Sequence, residues 1–230
     1  LDSDQRLAVE ACAKRGVVIV TGGPGVGKTH TSRRIVQVLQ STGKVVGCAP
    51  TGKAALRLAE LTGLTAMTIH RTLGFRPGAT DDEDGKLEGD WAFNRGNPLP
   101  ADAVICDESS MLDTSLAARL VAAVRTGARL VLVGDVDQLP SVGPGAVLRD
   151  LLVAGETIGV VTSRLSTIHR QAGASAIPYV ARDINTGNAP RWDSGPGGAW
   201  IEAEESRVSG TVVSEVRALA SRLAVPLDQV

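Results

Sequence analysis

The segment at residues 22–29, with the sequence GGPGVGKT, constrains the fold more than any other part of this 230-residue chain. It follows a short apolar run at 17–20 and precedes residues with helical spacing, which is the strand–loop–helix context that this pattern requires. The glycines let backbone N–H groups turn inward around phosphate oxygens, and the N-terminus of the following helix adds partial positive charge. The segment therefore predicts a phosphate-binding loop between a strand and a helix.

Apolar runs and helical stretches alternate along the rest of the chain. The apolar runs lie at 45–49, 103–106 and 130–133, and a less clear one lies at 158–161. The helical stretches lie at 29–40, 53–61, 115–124, 146–153, 177–185 and 208–223, with an opening helix that ends at Gly16 and a possible short strand at 200–201. Aromatic residues make up only 3% of the chain, so the core must be aliphatic. This pattern predicts an α/β fold, in which a parallel sheet carries helices on both faces.

Residues 74–100 interrupt this alternation. They show no apolar periodicity, and 81–90 holds six acidic residues against one lysine. A structureless loop of this length is unusual inside a compact domain. Two interpretations stay open: a small inserted subdomain or hairpin, with Trp91 and Phe93 covering its base, or a mobile surface loop.

Cysteine usage and charge narrow the class of protein. Cys12, Cys48 and Cys106 stand singly in apolar stretches, without metal-ligand spacing. An odd number argues against a disulfide framework, so we expect small core residues in a reducing, cytoplasmic compartment. No apolar run approaches the roughly 18 residues that cross a bilayer, and we expect no membrane partner. The formal net charge is −1, but the acidic run at 81–90 leaves the remainder mildly basic.

The phosphate-binding loop supplies a first set of candidate site residues. Lys28 can reach the β- and γ-phosphates of a nucleotide, and the Thr29 hydroxyl can ligate Mg²⁺. His30 directly follows the loop, where we expect it to pack. The candidate nucleotide-binding residues here are Gly23, Pro24, Gly25, Val26, Gly27, Lys28, Thr29 and His30.

Two adjacent carboxylates follow the apolar run at 103–106. Successive side chains at the end of a strand point in different directions, so the two acids can divide the work. Asp107 would hold Mg²⁺, directly or through water, and Glu108 would orient and deprotonate an attacking water. This pair favours a hydrolase over a simple kinase, because an acceptor other than water would not need Glu108.

The apolar run at 130–133 also leads into polar residues. Because the carboxyl ends of parallel strands share one edge of a sheet, Asp135 and Gln138 should face the same crevice as Lys28 and Asp107. Gln138 there can touch the γ-phosphate and report its presence. Arg170 is a candidate arginine that stabilises the transition state from outside the first domain.

Two polar clusters follow the next strand and helix. Their side chains and backbone N–H groups can donate to the backbone phosphates of a nucleic acid. Taken alone, the clusters are explained as well by ordinary helix capping and a solvated surface as by nucleic-acid binding. The candidate nucleic-acid contacts are Pro50, Thr51, Gly52, Lys53, Thr68, His70 and Arg71.

Taken in order, these motifs resemble those of superfamily 1 helicases, specifically the RecD-like branch that moves 5′-to-3′. The matching strings run through roughly residues 1–190: LDSDQ from residue 1, GGPGVGKT, APTGKAALR from 49, TIHRTLG from 68, DESSM from 107, GDVDQLP from 134 and LSTIHRQ from 165. The resemblance implies a RecA-like fold. It also implies that Gln5 contacts the adenine base, that Arg170 contacts the γ-phosphate, and that both polar clusters bind DNA.

The resemblance also implies a domain organisation. Residues 1–73 and 101–161 would form a first RecA-like ATPase domain, and 74–100 a small hairpin that separates strands in relatives. Residues 162–230 would begin a second RecA-like domain, so we expect a fragment of a longer protein. The acidic run departs from what a DNA-facing surface requires.

The predicted function is an ATP-dependent DNA helicase or translocase that uses Mg²⁺ and moves on single-stranded DNA. Partner subunits in a repair or recombination complex are possible. Two alternatives stay open: a switch or protein-remodelling ATPase, and a nucleotide-binding module without turnover.

Overall fold

A computed structural model describes residues 1–14, 16–81, 87–167, 177–190, 201 and 203–223. Its strands are β1 (Val17–Thr21), β2 (Val45–Ala49), β3 (Ala66–Thr68), β4 (Phe75–Asp81), β5 (Leu87–Trp91), β6 (Ala103–Cys106), β7 (Arg129–Gly134) and β8 (Val161–Arg164). Its α-helices are α1 (Ser3–Ala13), α2 (Lys28–Gln40), α3 (Gly52–Thr62), α4 (Ile69–Thr72), α5 (Thr114–Ala123), α6 (Val147–Ala154), α7 (Ile177–Asn185) and α8 (Val208–Leu223).

Six of the strands form one parallel sheet in the order β3-β2-β6-β7-β1-β8. Alternate residues of β1 enter different core clusters: Ile19 packs with residues from α4, α5 and α6, whereas Val18 and Val20 pack with residues from α1, α2 and α3. Both faces of the sheet are therefore covered by helices, which confirms the predicted α/β fold. Cys12, Cys48 and Cys106 are buried and unbridged, as expected.

Local sequence accounts for the helix boundaries. The Asp2 carboxylate caps α1 by accepting from the Gln5 N–H at 2.8 Å, and the Gln5 side chain accepts from the Asp2 N–H in return. Such reciprocal caps satisfy N–H groups that a helix leaves unpaired at its start. The helix ends at Ala13, three residues before the predicted end at Gly16, which itself has a φ of 138°. The helices predicted at 177–185 and 208–223 agree with α7 and α8.

The segment after Gly74 forms an antiparallel pair of strands, β4 and β5, in which Phe75 lies opposite Trp91. The two rings lie 4.6 Å apart between centroids, and both contact the His70 ring at 5.5 Å. Trp91 and Phe93 pack against the core, as predicted for the base of a hairpin. The structure therefore favours the hairpin interpretation over a surface loop.

The last strand of the sheet lies later in the chain than predicted. The strand predicted at 158–161 is instead β8, and the residues before it, Gly155–Ile158, form a 3₁₀ turn. β8 pairs with β1, and the buried Leu165 donates its N–H to the Thr21 carbonyl, so residues 161–165 are joined to this sheet. The predicted division into two domains stays a prediction. Of the strand predicted at 200–201, residue 200 lies outside the described residues and Ile201 has no strand structure. None of the helices in the described ranges has the length and apolar character that a membrane crossing requires.

Candidate nucleotide-binding site

A cavity of about 820 Å³ lies at the carboxyl ends of the parallel strands. It brings together residues from α1, the loop after β1, and the segments after β6 and β7. Its lining residues are Leu1, Asp2, Gln5, Gly23, Pro24, Gly25, Gly27, Lys28, Thr29, His30, Arg57, Asp107, Glu108 and Gln138. Most of the predicted nucleotide-site residues therefore share one cavity, while Val26 is buried behind the loop.

The loop between β1 and α2 has the backbone that its glycines allow. Gly25 and Gly27 have φ values of 79° and 80°, in a region that residues with a Cβ rarely adopt. Gly27 directly precedes α2 and has no side chain to cap the helix, so the first N–H groups of α2 stay available to a ligand. This is the arrangement that binds phosphate at a helix N-terminus.

Lys28 is held on the β7 side of the cavity. Its ammonium group donates to the carbonyls of Gly22 and Gly23 and lies 3.2 Å from a carboxylate oxygen of Asp135. Asp135 is buried, so this salt bridge is largely shielded from solvent. The contact confirms that Asp135 faces the same crevice as Lys28.

The two acids after β6 differ in their surroundings. Burial raises the pKa of the Asp107 carboxyl, although the bond from the Glu108 N–H and the charges of Arg57 and Lys28 oppose that rise. Glu108 has a φ of 51°, the one positive φ outside glycine among the residues that the structure describes. Such a conformation costs about 1–3 kcal/mol and is typical of functional sites.

Gln5 is hydrogen-bonded to the loop between β1 and α2. The Gln5 side-chain amide donates to the carbonyl of Val26 at 3.4 Å and is buried between α1 and the loop. The adjacent Asp4 accepts from both the N–H and the hydroxyl of Ser166, at 3.1 and 2.6 Å. These bonds lower the pKa of Asp4 and fix the start of α1 beside the residues that follow β8.

Two predictions around the cavity have different outcomes. His30 is exposed at the cavity wall, so the expected packing role is wrong: its position in the first turn of α2 faces solvent. Arg170 lies outside the described residues, and its role stays a prediction. Gln138 is exposed and lines both this cavity and a neighbouring one of about 550 Å³ that reaches α7.

Arg57 lines the cavity without having been predicted as a site residue. It occurs within the string APTGKAALR, four residues after the candidate DNA contact Lys53. Residues four apart share one face of a helix, so the signal was present once α3 was assigned. Only the tertiary structure shows that this face turns toward Asp107.

The candidate nucleic-acid contacts lie at the same edge of the sheet, after β2 and β3. Two of them already cap helices: the Thr51 hydroxyl accepts from the Ala54 N–H, and the Thr68 hydroxyl accepts from the Arg71 N–H. Four other candidate contacts are exposed to solvent, namely Gly52, Lys53, His70 and Arg71. Pro50 is half-buried. Helix capping therefore accounts for part of these clusters, and the role of the exposed residues in nucleic-acid binding stays a prediction.

Comparisons with known proteins agree with this geometry. A model of a family described as an AAA domain matches residues 1–204. The ATP-dependent RecD2 DNA helicase of Deinococcus radiodurans is 42% identical over 193 residues, which cover 84% of this chain and 25% of that protein. The RecBCD enzyme subunit RecD of Mycobacterium tuberculosis is also 42% identical over 193 residues, covering 73% of this chain and 32% of the relative. The chain thus spans a quarter to a third of the length of these relatives.

Solved structures share the fold. Pif1 of Bacteroides bound to single-stranded DNA has a TM-score of 0.56 at 22% identity, covering 80% of this chain and 46% of that one. The Pif1 helicase of Candida albicans has a TM-score of 0.57 at 23% identity, covering 94% and 54%. At such identity the likeness shows the fold alone. The chain belongs to the AAA domain family, and its similarity to RecD and RecD2 confirms the RecD-like resemblance of its motifs.

Proposed function

We propose that this chain is the nucleotide-binding part of an ATP-dependent DNA helicase that couples ATP hydrolysis to movement along single-stranded DNA. One observation carries the proposal: β3, β2 and β6 are neighbours and end at the same edge of the sheet. The candidate DNA contacts after β2 and β3 therefore lie next to Asp107 and Glu108, which follow β6. Such proximity allows the binding of one ligand to affect the binding of the other through rigid, packed elements.

The donor set of the cavity fits a nucleotide with Mg²⁺. The Thr29 hydroxyl and the Asp107 carboxylate are hard oxygen ligands of the kind that Mg²⁺ takes, with phosphate oxygens and water completing its shell. Bound Mg²⁺ supplies neutralisation of the charge on the β- and γ-phosphates. Gln5 holds the adenine base in this proposal, and Lys28 leaves Asp135 to contact the phosphates.

Hydrolysis in this proposal uses the acid that does not hold the metal. Glu108 orients a water molecule and takes its proton as the oxygen forms a bond to the γ-phosphorus, while the bond to the β–γ bridging oxygen breaks. Gln138 contacts the γ-phosphate from the β7 side. Arg170 stabilises the transferring group, a role that rests on resemblance alone.

DNA would bind through its backbone. Lys53 and Arg71 offer cations to phosphates, and the exposed start of α3 at Gly52 offers N–H groups, since the Thr51 hydroxyl already serves as a cap. Contacts of this kind read no sequence and weaken as salt rises. We therefore expect salt-sensitive binding without sequence preference.

Several wider features belong to the same proposal. The pair β4 and β5 would separate strands of a duplex, and residues 162–230 would begin a second RecA-like domain. Movement 5′-to-3′, partner subunits in a repair or recombination complex, and a cytoplasmic location follow from the resemblance to RecD. The name of the mycobacterial relative, a subunit of the RecBCD enzyme, supports the partner subunits.

The test is binding of oligo-dT and steady-state ATP hydrolysis by this chain, with and without the oligonucleotide at low salt. We expect oligo-dT to bind and to stimulate turnover. Absence of oligo-dT binding would contradict the proposal and favour a protein-remodelling ATPase, which leaves Lys53 and Arg71 without a role. Nucleotide binding without turnover under either condition would instead indicate a binding module.

A further inference from the structure

The guanidinium of Arg57 is an unassigned cation at the nucleotide cavity. It lines the cavity together with Asp107 and Glu108, and it is exposed. It forms no hydrogen bond or salt bridge with any residue within the described ranges. Lys28, the other cation of the cavity, is occupied by Asp135 and by loop carbonyls. Arg57 is therefore the cation that is free to meet an anionic ligand.

Arg57 lies one helical turn from a candidate DNA contact. Lys53 and Arg57 are four residues apart in α3, which places their Cβ atoms about 5–6 Å from each other on one face. Both side chains are exposed, and a Cβ built on Gly52 would meet nothing within 4 Å. An anionic strand at the start of α3 and a nucleotide in the cavity would thus approach the same stripe of positive charge.

Helix α3 is well fixed against the sheet. Ala54, Ala55 and Leu58 are buried on its other face, and the Thr51 cap holds its first turn. The helix follows β2, whose Cys48 carbonyl accepts from the N–H of Asp107 at 3.0 Å. Arg57 therefore lies on the helix that follows β2, and Asp107 is hydrogen-bonded to the end of that strand, so the two residues are held close to each other.

We propose that Arg57 is a positioning residue through which DNA at the start of α3 strengthens nucleotide binding. A cation placed between two anionic ligands attracts both and reduces their mutual repulsion. The first ligand to bind also orders the long side chain, so the second no longer loses that conformational freedom. By thermodynamic linkage, the nucleotide strengthens DNA binding by the same factor. This inference rests on the proposed function.

The test measures the affinity of the 230-residue chain for a fluorescent, non-hydrolysable ATP analogue, with and without saturating oligo-dT. For the unaltered chain we expect oligo-dT to tighten binding by about fivefold or more, the lower end of typical coupling. Arg57→Ala should reduce this factor to about twofold or less, and Arg57→Lys should restore part of it, because lysine keeps the charge without the planar fork. The readout does not require turnover.

Arg34→Ala is the matched control. Arg34 is an exposed helix residue whose guanidinium bonds Gln37, and it does not line the cavity, so its loss should leave the coupling factor unchanged. The inference is overturned if the analogue binds equally well with and without oligo-dT, or if Arg57→Ala retains the tightening. Failure of oligo-dT to bind the unaltered chain at all would instead overturn the proposed function, and the inference with it.

Discussion

Strand β6 is flanked by two aspartates whose surroundings differ. Asp102 precedes the strand, is exposed, and accepts from the Lys44 N–H at 2.8 Å and from Arg125 at 2.6 Å. These bonds lower the pKa of Asp102, and the bond from the Lys44 N–H has the largest effect. Asp107 follows the strand and receives one hydrogen bond within the described part of the chain, from the Glu108 N–H at 3.0 Å. Partial burial raises its pKa.

The difference separates an end of the sheet that is built for stability from one that is built for a ligand. At the Asp102 end the polar groups bond to each other. At the Asp107 end a carboxylate is desolvated with few partners, Glu108 has a strained backbone, and Arg57 has no bonded partner within the described ranges. Polar groups without partners and strained backbone raise the free energy of the ligand-free protein. A ligand that pairs with these groups lowers that free energy, so such groups are typical of binding sites.

The largest expected effect is the loss of nucleotide binding on changing a lysine at the Asp107 end of the sheet but not one at the Asp102 end. Lys28→Ala should reduce nucleotide binding and turnover by about a hundredfold or more, because it removes the cation aimed at the phosphates. Lys44→Ala, at the Asp102 end, is the matched control, since Asp102 bonds the backbone N–H of Lys44 and not its side chain. Equilibrium binding of a fluorescent nucleotide and steady-state hydrolysis provide the measurements. Unchanged hydrolysis in Lys28→Ala would remove the phosphate-loop assignment.

The second prediction concerns the division of work between the two acids. Glu108→Gln should keep nucleotide binding and lose turnover by about 10²–10⁴-fold, the contribution of a positioned general base. Glu60→Gln, an exposed position in α3, should turn over nucleotide at the normal rate. Normal turnover in Glu108→Gln would assign the base to another residue.

A third prediction compares the space at two glycines. A Cβ on Gly43 would lie 2.4 Å from a carboxylate oxygen of Asp102 and 2.7 Å from its Cβ, whereas a Cβ on Gly52 would meet nothing within 4 Å. Gly43→Ala should therefore lower the free energy of unfolding by about 1–3 kcal/mol, as overpacking does. Gly52→Ala should leave it unchanged or slightly raised. Denaturant unfolding measures both, and equal losses would contradict the difference in packing.

The smallest effect is on melting temperature and follows from the two pKa shifts. The pKa of Asp102 is lowered from 3.8, so its ionised form stabilises the fold above that pH, and this contribution is lost as pH falls through the lowered value. The pKa of Asp107 is raised from 3.8, so its ionised form destabilises the fold above the raised value, and the cost disappears in acid.

Near neutral pH, Asp102→Asn should therefore lower the melting temperature of the nucleotide-free protein, and Asp107→Asn should raise it. Both differences should shrink as the pH is lowered from about 7 toward about 3, because the wild-type carboxylates become protonated. Melting curves across this range measure the effect. Shifts of the same sign in the two variants would contradict the contrast between the ends of β6.

Sequence patterns predicted the strands that are buried on both faces and missed those at the edges. The run at 103–106 matches β6 residue for residue, because a central strand must be apolar throughout. β3 and β8 are edge strands with the sequences AMT and VTSR, whose residues are half-buried or exposed, so neither forms an apolar run. The last strand was therefore predicted at the apolar residues 158–161, three residues before β8.

The candidate site shows a similar division. Asp107, Glu108 and the loop lie in short sequence motifs, so spacing alone indicates them. Arg57 enters the cavity because α3 packs on β2 and β3, and β2 is the neighbour of β6 in the sheet, which is a relation between distant segments. The left-handed backbone of Glu108 is likewise set by tertiary contacts, because glutamate has no local preference for it.

The position of β1 inside the sheet has a mechanical consequence. β1 is hydrogen-bonded to β7 on one side and to β8 on the other, whereas β3 has β2 as its one neighbour in the sheet. A force applied to the phosphate loop along the strand axis would load two ladders of bonds in shear, which must break together. A force applied at Thr68, the last residue of β3, or at Arg71, three residues later, would act on a strand that a single ladder of bonds holds. Under load, the nucleotide side of this domain would hold its shape while the β3 side yields first.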